Sequence, residues 1–449
     1  MGPVREAARG GPVGGSGGTL AGARAGARAG QRVDARAVDA GAVDEAAARL
    51  AGVVRRTPLE PSERLGDLVG GEVHLKREDL QAVRSYKLRG AYNLVVQERS
   101  RAAQAGVVAA SAGNHAQGVA FACRALGLRG RIYVPGTTPR QKRERIAAVG
   151  GPLVETVVVG ETYDEAQERA LLDAATSGAL MVPAFDDPRT VAGQGTVAVE
   201  LVDQLGRAPD LVVVPVGGGG LAAGVATWLA ERHPSTRVVG VEPAGAASMA
   251  AALEAGAPVP LAALDGFVDG AAVRTAGSVT YPLVRDHVDA VVSVDEGRVC
   301  SEMLRLYQSD GIIAEPAGAL AAAALGDAVR PEPGTTTVVV LSGGNNDVSR
   351  YAEIVERSLV HEGLKHYFLV EFPQEPGALR RFLDEVLGPD DDITLFEYTK
   401  RNNREFGPAL VGVELATAAD LDPLLRRMGS SPLTARRIEP DDPLFRFVL

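Results

Sequence analysis

The spacing of apolar residues divides the chain into three parts. Residues 1–33 are mostly Gly, Ala and Arg, with the near-repeat GARAGARAG, and cannot bury a core, which predicts a disordered tail. Short apolar runs then alternate with helix-like spacing over roughly 300 residues. The pattern changes again after about Val360. We therefore predict a tail at residues 1–33, a main domain at 34–358 and a C-terminal domain at 359–449.

The main domain has short strands separated by helices. The first helix is predicted at Val43–Leu50. The strand candidates are Val73–Lys76, Val107–Ala110, Arg131–Val134, Leu153–Val158, Leu211–Val216, Val238–Val241, Ala290–Val294 and Thr336–Leu341. This alternation predicts an α/β fold with a mostly parallel, doubly wound sheet. Ligands in such folds bind at the carboxyl ends of the strands.

The C-terminal domain is rich in phenylalanine and has its own order of elements. Seven of the ten Phe residues lie at Phe368, Phe372, Phe382, Phe396, Phe406, Phe445 and Phe447. The predicted elements are strand His366–Phe372, helix Pro376–Leu387, strands Ile393–Thr399 and Pro408–Leu415, helix Ala419–Met428 and a final strand. This βαββαβ order is the ferredoxin-like plan, present in a single copy.

Composition excludes several classes of protein. The net charge of -10 argues against nucleic-acid binding, which needs a basic face. No apolar run approaches the roughly 18 residues of a membrane-spanning helix. Cys123 and Cys300 have no neighbouring Cys or His at metal-ligand spacing, so we predict buried thiols in a reducing compartment, no metal site and a cytoplasmic location.

A glycine run provides the first candidate site. Leu211–Val216 reads as a strand, Gly217–Gly220 follows, and Leu221–Leu229 reads as a helix. Exposed backbone amides at a helix N-terminus bind phosphate, although a flexible loop is the alternative. The run matches neither GxGxxG nor GxxxxGK[ST], which disfavours a dinucleotide or a nucleoside triphosphate.

Three further polar positions follow predicted strands or begin helices. Lys87 stands just inside a helix start; it is either a solvated side chain or an amine that forms a Schiff base. Ser111–His115 is either a carboxylate-binding loop or a turn capped by its Ser or Asn. Ser342 follows the last strand of the main domain, where a serine is normally a turn residue. Together with the glycine run, these positions suit pyridoxal phosphate, which needs a phosphate cradle, an amine and polar partners for its ring.

Five motifs then indicate a family. KREDLQAVRSYKLRGAYN, SAGNHAQG, VGGGGL, GIIAEPAGA and LSGGNND occur in this order. From about Val43 to the C-terminus the chain resembles the tryptophan-synthase-like (fold type II) pyridoxal-phosphate enzymes, and within them the biosynthetic threonine dehydratases. The resemblance implies a two-lobed catalytic domain. Tyr86, where relatives commonly have Phe, is a small departure.

The resemblance also implies a role for each matching residue. Lys87 anchors pyridoxal phosphate and, once freed, removes the substrate α-proton as general base. The residues implied to bind the cofactor are Lys87, Asn114 at the 3′-hydroxyl, Gly217, Gly218, Gly219, Gly220 and Leu221 at the phosphate, and Ser342 at the pyridine nitrogen. Those implied to face the substrate are Ser111, Ala112, Gly113, Asn114, His115 and Glu315. Serine racemase relatives carry a hydroxyl at the position of Ala112, so negligible racemisation is expected.

The implied activity is deamination of L-threonine to 2-oxobutanoate and ammonia, the first step of isoleucine biosynthesis. The C-terminal segment resembles a single ACT-like regulatory domain, which implies inhibition by isoleucine, opposition by valine and a homotetramer. A purely structural dimerisation domain is the alternative.

Four other functions are alternatives for this chain. A catabolic threonine/serine dehydratase or a threonine synthase shares the fold, but no motif provides the second phosphate site of the latter. A catalytically dead amino-acid sensor is disfavoured by intact Lys87, Asn114 and Ser342. A dinucleotide-dependent oxidoreductase is disfavoured by the glycine spacing.

Overall fold

The computed structural model describes residues 38–400, 404–439 and 442–448. The predicted disordered tail, residues 1–33, lies outside this range. The helices are α1 (Ala40–Leu50), α2 (Glu63–Val69), α3 (Lys87–Gln97), α4 (Arg99–Ala105), α5 (Asn114–Leu126), α6 (Arg140–Gly150), α7 (Tyr163–Ser177), α8 (Pro188–Leu205), α9 (Gly220–Arg232), α10 (Ser248–Ala255), α11 (Thr280–His287), α12 (Glu296–Gln308), α13 (Pro316–Ala323), α14 (Tyr351–His361), α15 (Ala378–Arg381) and α16 (Leu421–Ser430).

The strands fall into three sheets. They are β1 (Leu59–Pro61), β2 (Glu72–Arg77), β3 (Val107–Ala110), β4 (Gly130–Val134), β5 (Val154–Val158), β6 (Leu180–Met181), β7 (Leu211–Pro215), β8 (Arg237–Pro243), β9 (Ala290–Val294), β10 (Thr336–Leu341), β11 (Lys365–Pro373), β12 (Asp392–Tyr398), β13 (Phe406–Glu414) and β14 (Thr434–Ile438).

A six-stranded sheet forms the large lobe, in the order β1-β2-β10-β7-β8-β9. All its pairings are parallel except that of β1 with β2. Both faces are covered: Val212 and Val214 of β7 pack into one apolar cluster, and Leu211 and Val213 into another on the opposite face. Burial on both faces explains why these strands are continuous apolar runs rather than alternating ones.

A second parallel sheet, in the order β5-β4-β3-β6, forms the small lobe. Its core is built by Leu94, Val107, Val119, Ile132 and their neighbours. The strand pattern therefore produces two sheets instead of one doubly wound sheet, in agreement with the two-lobed domain that the resemblance implies. The α/β fold class is confirmed.

The C-terminal domain is an antiparallel sheet in the order β12-β13-β11-β14. Its helices are α15, which continues as a π-helix at Phe382–Val386, and α16. Phe368, Phe372, Phe382, Val411 and Leu424 form the core beneath them. The βαββαβ order predicted from the sequence is confirmed, and α14 joins this domain to the large lobe.

Two further observations concern the described residues as a whole. Cys123 and Cys300 are buried free thiols, and burial raises the pKa of each to about 12. Within residues 38–400, 404–439 and 442–448, no helix is long and apolar enough to span a membrane.

Candidate active site

Three adjacent strands of the large lobe end at one edge of the sheet. The order β2-β10-β7 places the segments that follow these strands side by side. Those segments carry Lys87, Ser342 and Gly217–Gly220, respectively. The strand β3 of the small lobe ends at Ala110, and the loop that follows joins the cluster through hydrogen bonds of Asn114 to Glu315 and Asn345. Residues far apart in sequence therefore meet at the carboxyl ends of parallel strands, the usual ligand position in such folds.

Lys87 is the first residue of α3, and backbone contacts fix its position. Ser85 bridges Gly343, and the Tyr86 amide donates to the Ser342 carbonyl at 3.2 Å. The Lys87 ammonium donates to the Ala184 carbonyl at 3.1 Å and lies 5.2 Å from the centre of the Tyr86 ring. Among the residues that the structure describes, the Lys87 amine has this neutral acceptor within hydrogen-bond distance and no ion-pair partner.

A buried ion network anchors the helix that carries Lys87. Arg89 is fully buried and donates to Glu78 at 2.7 Å and to Glu200 at 2.7 Å. Lys76, also fully buried, donates to Glu200 at 2.7 Å and to the Thr57 carbonyl at 2.7 Å. The charged KRED run in the sequence is thus internal structure that joins β2, α3 and α8. Removal of one member of this network would destabilise the fold, because it would leave a buried charge without its partner.

The glycine run has the form of a cradle. Gly219 has φ of +88° and precedes the first residue of α9. Among the described residues no side chain caps this helix, so its first amides are left without a side-chain acceptor. The Thr280 hydroxyl donates to the Gly218 carbonyl at 2.6 Å and fixes the loop. A Cβ at Gly217 would lie 2.9 Å from the Ala271 backbone, so a larger residue cannot enter.

Two residues beside this cradle were not singled out from the sequence. A Cβ at Gly218 would lie 2.3 Å from the Phe185 ring, which therefore packs directly on the glycine run. Asp186 accepts from the amides of Ser278 and Val279 at 2.9 and 2.7 Å, and so holds the segment before α11. The sequence gives little indication that Phe185 and Asp186 lie beside the site, because the preceding strand β6 has only two residues and is too short to predict.

The Ser111–His115 loop is not a side-chain-capped turn. The N-cap of α5 is Gly113, without a side-chain cap, and the Ser111 hydroxyl accepts from the Gly113 amide at 3.2 Å. A Cβ at Gly113 would have no neighbour within 4 Å, so space lies open above the loop. The buried His115 ring contacts the Val182 carbonyl at 2.8 Å, and burial together with nearby Lys87 lowers its pKa to about 4.

Asn114 joins the two lobes through side-chain amide contacts. Its Nδ2 donates to Glu315 Oε1 at 2.5 Å, and its Oδ1 accepts from Asn345 Nδ2 at 2.7 Å. Glu315 is buried, and burial, together with the charge of Asp269, raises its pKa to about 7. A buried carboxyl group whose pKa is raised therefore lies beside the amide predicted to hold the ring hydroxyl.

Ser342 is buried directly after β10. Its hydroxyl donates to the Ala317 carbonyl at 3.1 Å, at the start of α13. A hydroxyl that already donates to a backbone carbonyl can still accept a hydrogen bond, and it carries no charge.

These residues fit pyridoxal phosphate. The glycine cradle offers amides to a phosphate, Lys87 offers an amine, and Asn114 and Ser342 offer neutral polar partners to a ring. Within residues 38–400, 404–439 and 442–448, no group of three His, Cys, Asp or Glu residues could hold a metal ion. The fold and the site together define a pyridoxal-phosphate-dependent enzyme of the two-lobed class.

Comparisons with known proteins agree with this class. Residues 50–343 match the family model described as pyridoxal-phosphate dependent enzyme. Residues 356–448 match that of the C-terminal regulatory domain of threonine dehydratase. The biosynthetic L-threonine dehydratase IlvA of Mycobacterium tuberculosis is 62% identical over 409 residues, or 91% of this chain and 95% of that protein. The IlvA protein of Corynebacterium glutamicum is 55% identical over 419 residues, or 92% and 96% of the two chains.

Solved structures lead to the same family. The processed form of threonine deaminase isoform 2 from Solanum lycopersicum is 38% identical, with a TM-score of 0.66 over 71% of this chain and 94% of that one. Maize serine racemase is 31% identical, with a TM-score of 0.66 over 72% and 99%. The chain belongs to the biosynthetic L-threonine dehydratase family of pyridoxal-phosphate-dependent enzymes.

Proposed function

We propose that this chain deaminates L-threonine to 2-oxobutanoate and ammonia, as the first step of isoleucine biosynthesis. The observation that carries the proposal is the arrangement of the Lys87 amine and the glycine cradle at one edge of the large-lobe sheet, with the Ser111–His115 loop of the small lobe joined to that edge through Asn114. The names of the relatives, which extend over about nine-tenths of the chain, support the choice of threonine.

Pyridoxal phosphate, when bound, supplies an electron sink that makes the substrate α-proton removable. The residues proposed to hold its phosphate are Gly217, Gly218, Gly219, Gly220 and Leu221. Asn114 would hold its ring hydroxyl. Ser342 would meet its ring nitrogen with a neutral hydroxyl instead of a carboxylate, which disfavours a protonated ring nitrogen.

The remaining site residues act on the substrate. The Lys87 amine would anchor the cofactor and then remove the α-proton, since its contact within hydrogen-bond distance is a carbonyl and not a carboxylate. The loop of Ser111, Ala112, Gly113, Asn114 and His115 would bind the substrate carboxylate in the open space above Gly113. His115 would contribute through its backbone, because its ring is turned toward Val182. Glu315 would face the cofactor.

A lysine variant tests the assignment. Cofactor-loaded wild-type protein treated with borohydride is expected to carry the reduced cofactor on the peptide that contains Lys87, and to release 2-oxobutanoate before treatment. Lys87→Ala is expected to lose at least about a thousandfold in kcat, because a base and a covalent anchor are removed together. Arg140→Gln, on an exposed helix face, is the control. Full turnover in Lys87→Ala, or labelling of another lysine, would refute the assignment.

We further propose that the regulatory domain binds isoleucine as inhibitor and valine as its opponent, in a cytoplasmic homotetramer. The match of residues 356–448 to a threonine dehydratase regulatory domain supports effector binding. Calorimetry on the full chain is expected to detect saturable isoleucine binding that valine displaces, and sedimentation is expected to give four chains. If calorimetry detected no heat of binding for isoleucine or valine, effector binding would be refuted and the domain would have a purely structural role.

A further inference from the structure

A short segment of the large lobe, residues 267–271, contacts both the active site and the helix that leads to the regulatory domain. We call it the bridging segment. Phe267 and Val268 are buried, whereas Asp269 and Gly270 reach the surface. The Val268 carbonyl accepts from the amides of Ala271 and Ala272 at 2.8 and 2.9 Å, which folds the segment into a tight turn.

On one side the segment touches the cofactor and substrate residues. A Cβ at Gly217 would lie 2.9 Å from Ala271 Cα. A Cβ at Gly270 would lie 2.8 Å from the Cβ of Ala317 and 3.9 Å from Glu315 Oε1. A displacement of this turn by about one ångström would therefore be felt at the phosphate cradle and at Glu315, because packed interiors transmit strain.

On the other side the segment is held by α14. The guanidinium carbons of Arg350 and Arg357 lie 4.6 and 4.3 Å from the centre of the Phe267 ring. Arg350 also donates to the Phe267 carbonyl at 2.8 Å. Arg350 precedes α14 and Arg357 lies within it, so both arginines move with this helix.

The same helix is tied to the regulatory sheet. Glu356 of α14 accepts from Lys365, the first residue of β11, at 2.6 Å, and from the Tyr367 hydroxyl. Tyr367 packs edge-on against Phe445, 5.9 Å between ring centres. Contacts are thus continuous from the regulatory sheet through α14 to Phe267.

The tip of the segment also holds the small lobe. Asp269 pairs with Lys142 of α6 at 2.6 Å, and this ion pair spans the two lobes. Both side chains are partly exposed, so the pair contributes modestly and can open without great cost. An ion pair of that strength suits a contact that forms and breaks in each catalytic cycle.

We propose that the bridging segment couples the regulatory domain to closure of the small lobe, with Phe267 as the contact to α14 and Asp269–Lys142 as the lobe latch. The proposal rests on the proposed function for its catalytic readout. Displacement of α14 by an effector would move Phe267, misplace Asp269 and release Lys142, which leaves the lobes open and the site exposed to water. Coupling of this kind requires one element with contacts to both sites, which the segment provides.

A double-mutant cycle between the two ends tests the coupling. Lys142→Gln breaks the latch, and Arg357→Met removes the charge over Phe267 while it keeps the length of the side chain. Each single variant is expected to lower kcat/KM for L-threonine by about two- to fivefold and to weaken inhibition by isoleucine. The double variant is expected to resemble the stronger single variant. Glu144→Gln is the matched control and is expected to match wild type, because Glu144 lies on α6 and pairs with Arg140 of the same helix.

Hydrogen exchange of α6 gives a readout that does not depend on turnover. Arg357→Met is expected to raise exchange in peptides of Arg140–Gly150, although residue 357 does not touch this helix. Multiplicative effects in the cycle, together with unchanged α6 exchange in Arg357→Met, would overturn the coupling. If the wild-type chain failed to deaminate threonine, the proposed function would fall while the exchange experiment still decided the coupling.

Discussion

Glu315 is a buried carboxyl group that contacts Asn114 in the candidate site. Burial raises its pKa to about 7 from an ordinary value of 4.5. The folded chain thus binds this proton more tightly than the unfolded chain. Its contribution to the free energy of unfolding is full below pH 4.5 and declines as the pH rises to about 7.

Replacement of this carboxyl group removes the contribution of Glu315 to the pH dependence of the free energy of unfolding. Glu315→Gln keeps an acceptor for Asn114 but cannot ionise. We expect the variant to gain about 1–3 kcal/mol of stability over wild type between pH 5 and pH 8. Denaturant titrations at several pH values measure this difference, in which the slope from buried Glu242 cancels. A difference independent of pH would show that Glu315 is ionised throughout.

Ala112 bears on the side reaction of the site. It lies in the loop proposed to bind the substrate carboxylate and carries no hydroxyl. The wild-type chain is expected to leave residual L-threonine and L-serine without inversion at Cα, since the Ala112 side chain has no proton to donate. Ala112→Ser is expected to introduce measurable D-serine, detected by chiral chromatography of the remaining substrate. Equal D-serine in both proteins would contradict this role for position 112.

Arg89 lies on α3, the helix that begins at Lys87, and pairs with the buried Glu78. Removal of this buried guanidinium would leave Glu78, which is also fully buried, without its main partner. Arg89→Met is therefore expected to lower the free energy of unfolding by about 3–5 kcal/mol. Arg140→Met, which loses only an exposed pair, is expected to change it by less than about 0.5 kcal/mol. Equal stability of both variants, measured by urea unfolding, would contradict the network's importance.

At the scale of elements, glycines set how closely helices pack beneath the site. A Cβ at Gly193 of α8 would lie 2.7 Å from Gly90 Cα and 2.8 Å from the Arg89 carbonyl oxygen of α3. Because these α3 backbone atoms cannot rotate away from an added methyl group, Gly193→Ala is expected to lower the free energy of unfolding by about 2 kcal/mol or more.

A second helical glycine provides the matched control. A Cβ at Gly429 of α16 would have no neighbour within 4 Å. Gly429→Ala is expected to be neutral or to stabilise by up to about 1 kcal/mol, because alanine favours helix. Thermal unfolding of both variants compares them, and a loss in Gly429→Ala equal to that in Gly193→Ala would remove the packing explanation.

Most helices and strands could be predicted from the apolar pattern, because the spacing of apolar residues within a segment reflects which of its faces are buried. Val107–Ala110, Ala290–Val294 and Thr336–Leu341 are strands with the predicted bounds. The short strands Leu59–Pro61 and Leu180–Met181 were missed, since two or three residues carry no periodicity. The predicted helix Pro376–Leu387 begins at Ala378 and turns into a π-helix at Phe382, a change that spacing does not reveal.

The site was predictable where its residues lie in compact motifs. Lys87, Asn114, Gly217–Gly220 and Ser342 each follow a strand or begin a helix, so their convergence follows from the topology. Phe185 and Asp269 act through contacts made across the fold, and nothing in their local sequence indicates those contacts. The burial of Lys76, Glu78 and Arg89 could not be predicted either, because a run of charged residues by itself predicts a solvated surface.

At the scale of the whole molecule, the described residues form three units. The large lobe carries Gly217–Gly220 and Ser342, the small lobe carries the Ser111–His115 loop, and the C-terminal domain follows α14. The division at residues 34–358 and 359–449 stays a prediction, as do the individual site roles.

The proposed function is measured directly by the rate of 2-oxobutanoate release from L-threonine by the cofactor-loaded full chain, with and without isoleucine. We expect turnover that isoleucine suppresses and valine restores. Turnover indifferent to isoleucine would keep the catalytic assignment and remove the regulatory one. A chain that holds pyridoxal phosphate on Lys87 but releases no 2-oxobutanoate would contradict the proposed deamination of L-threonine.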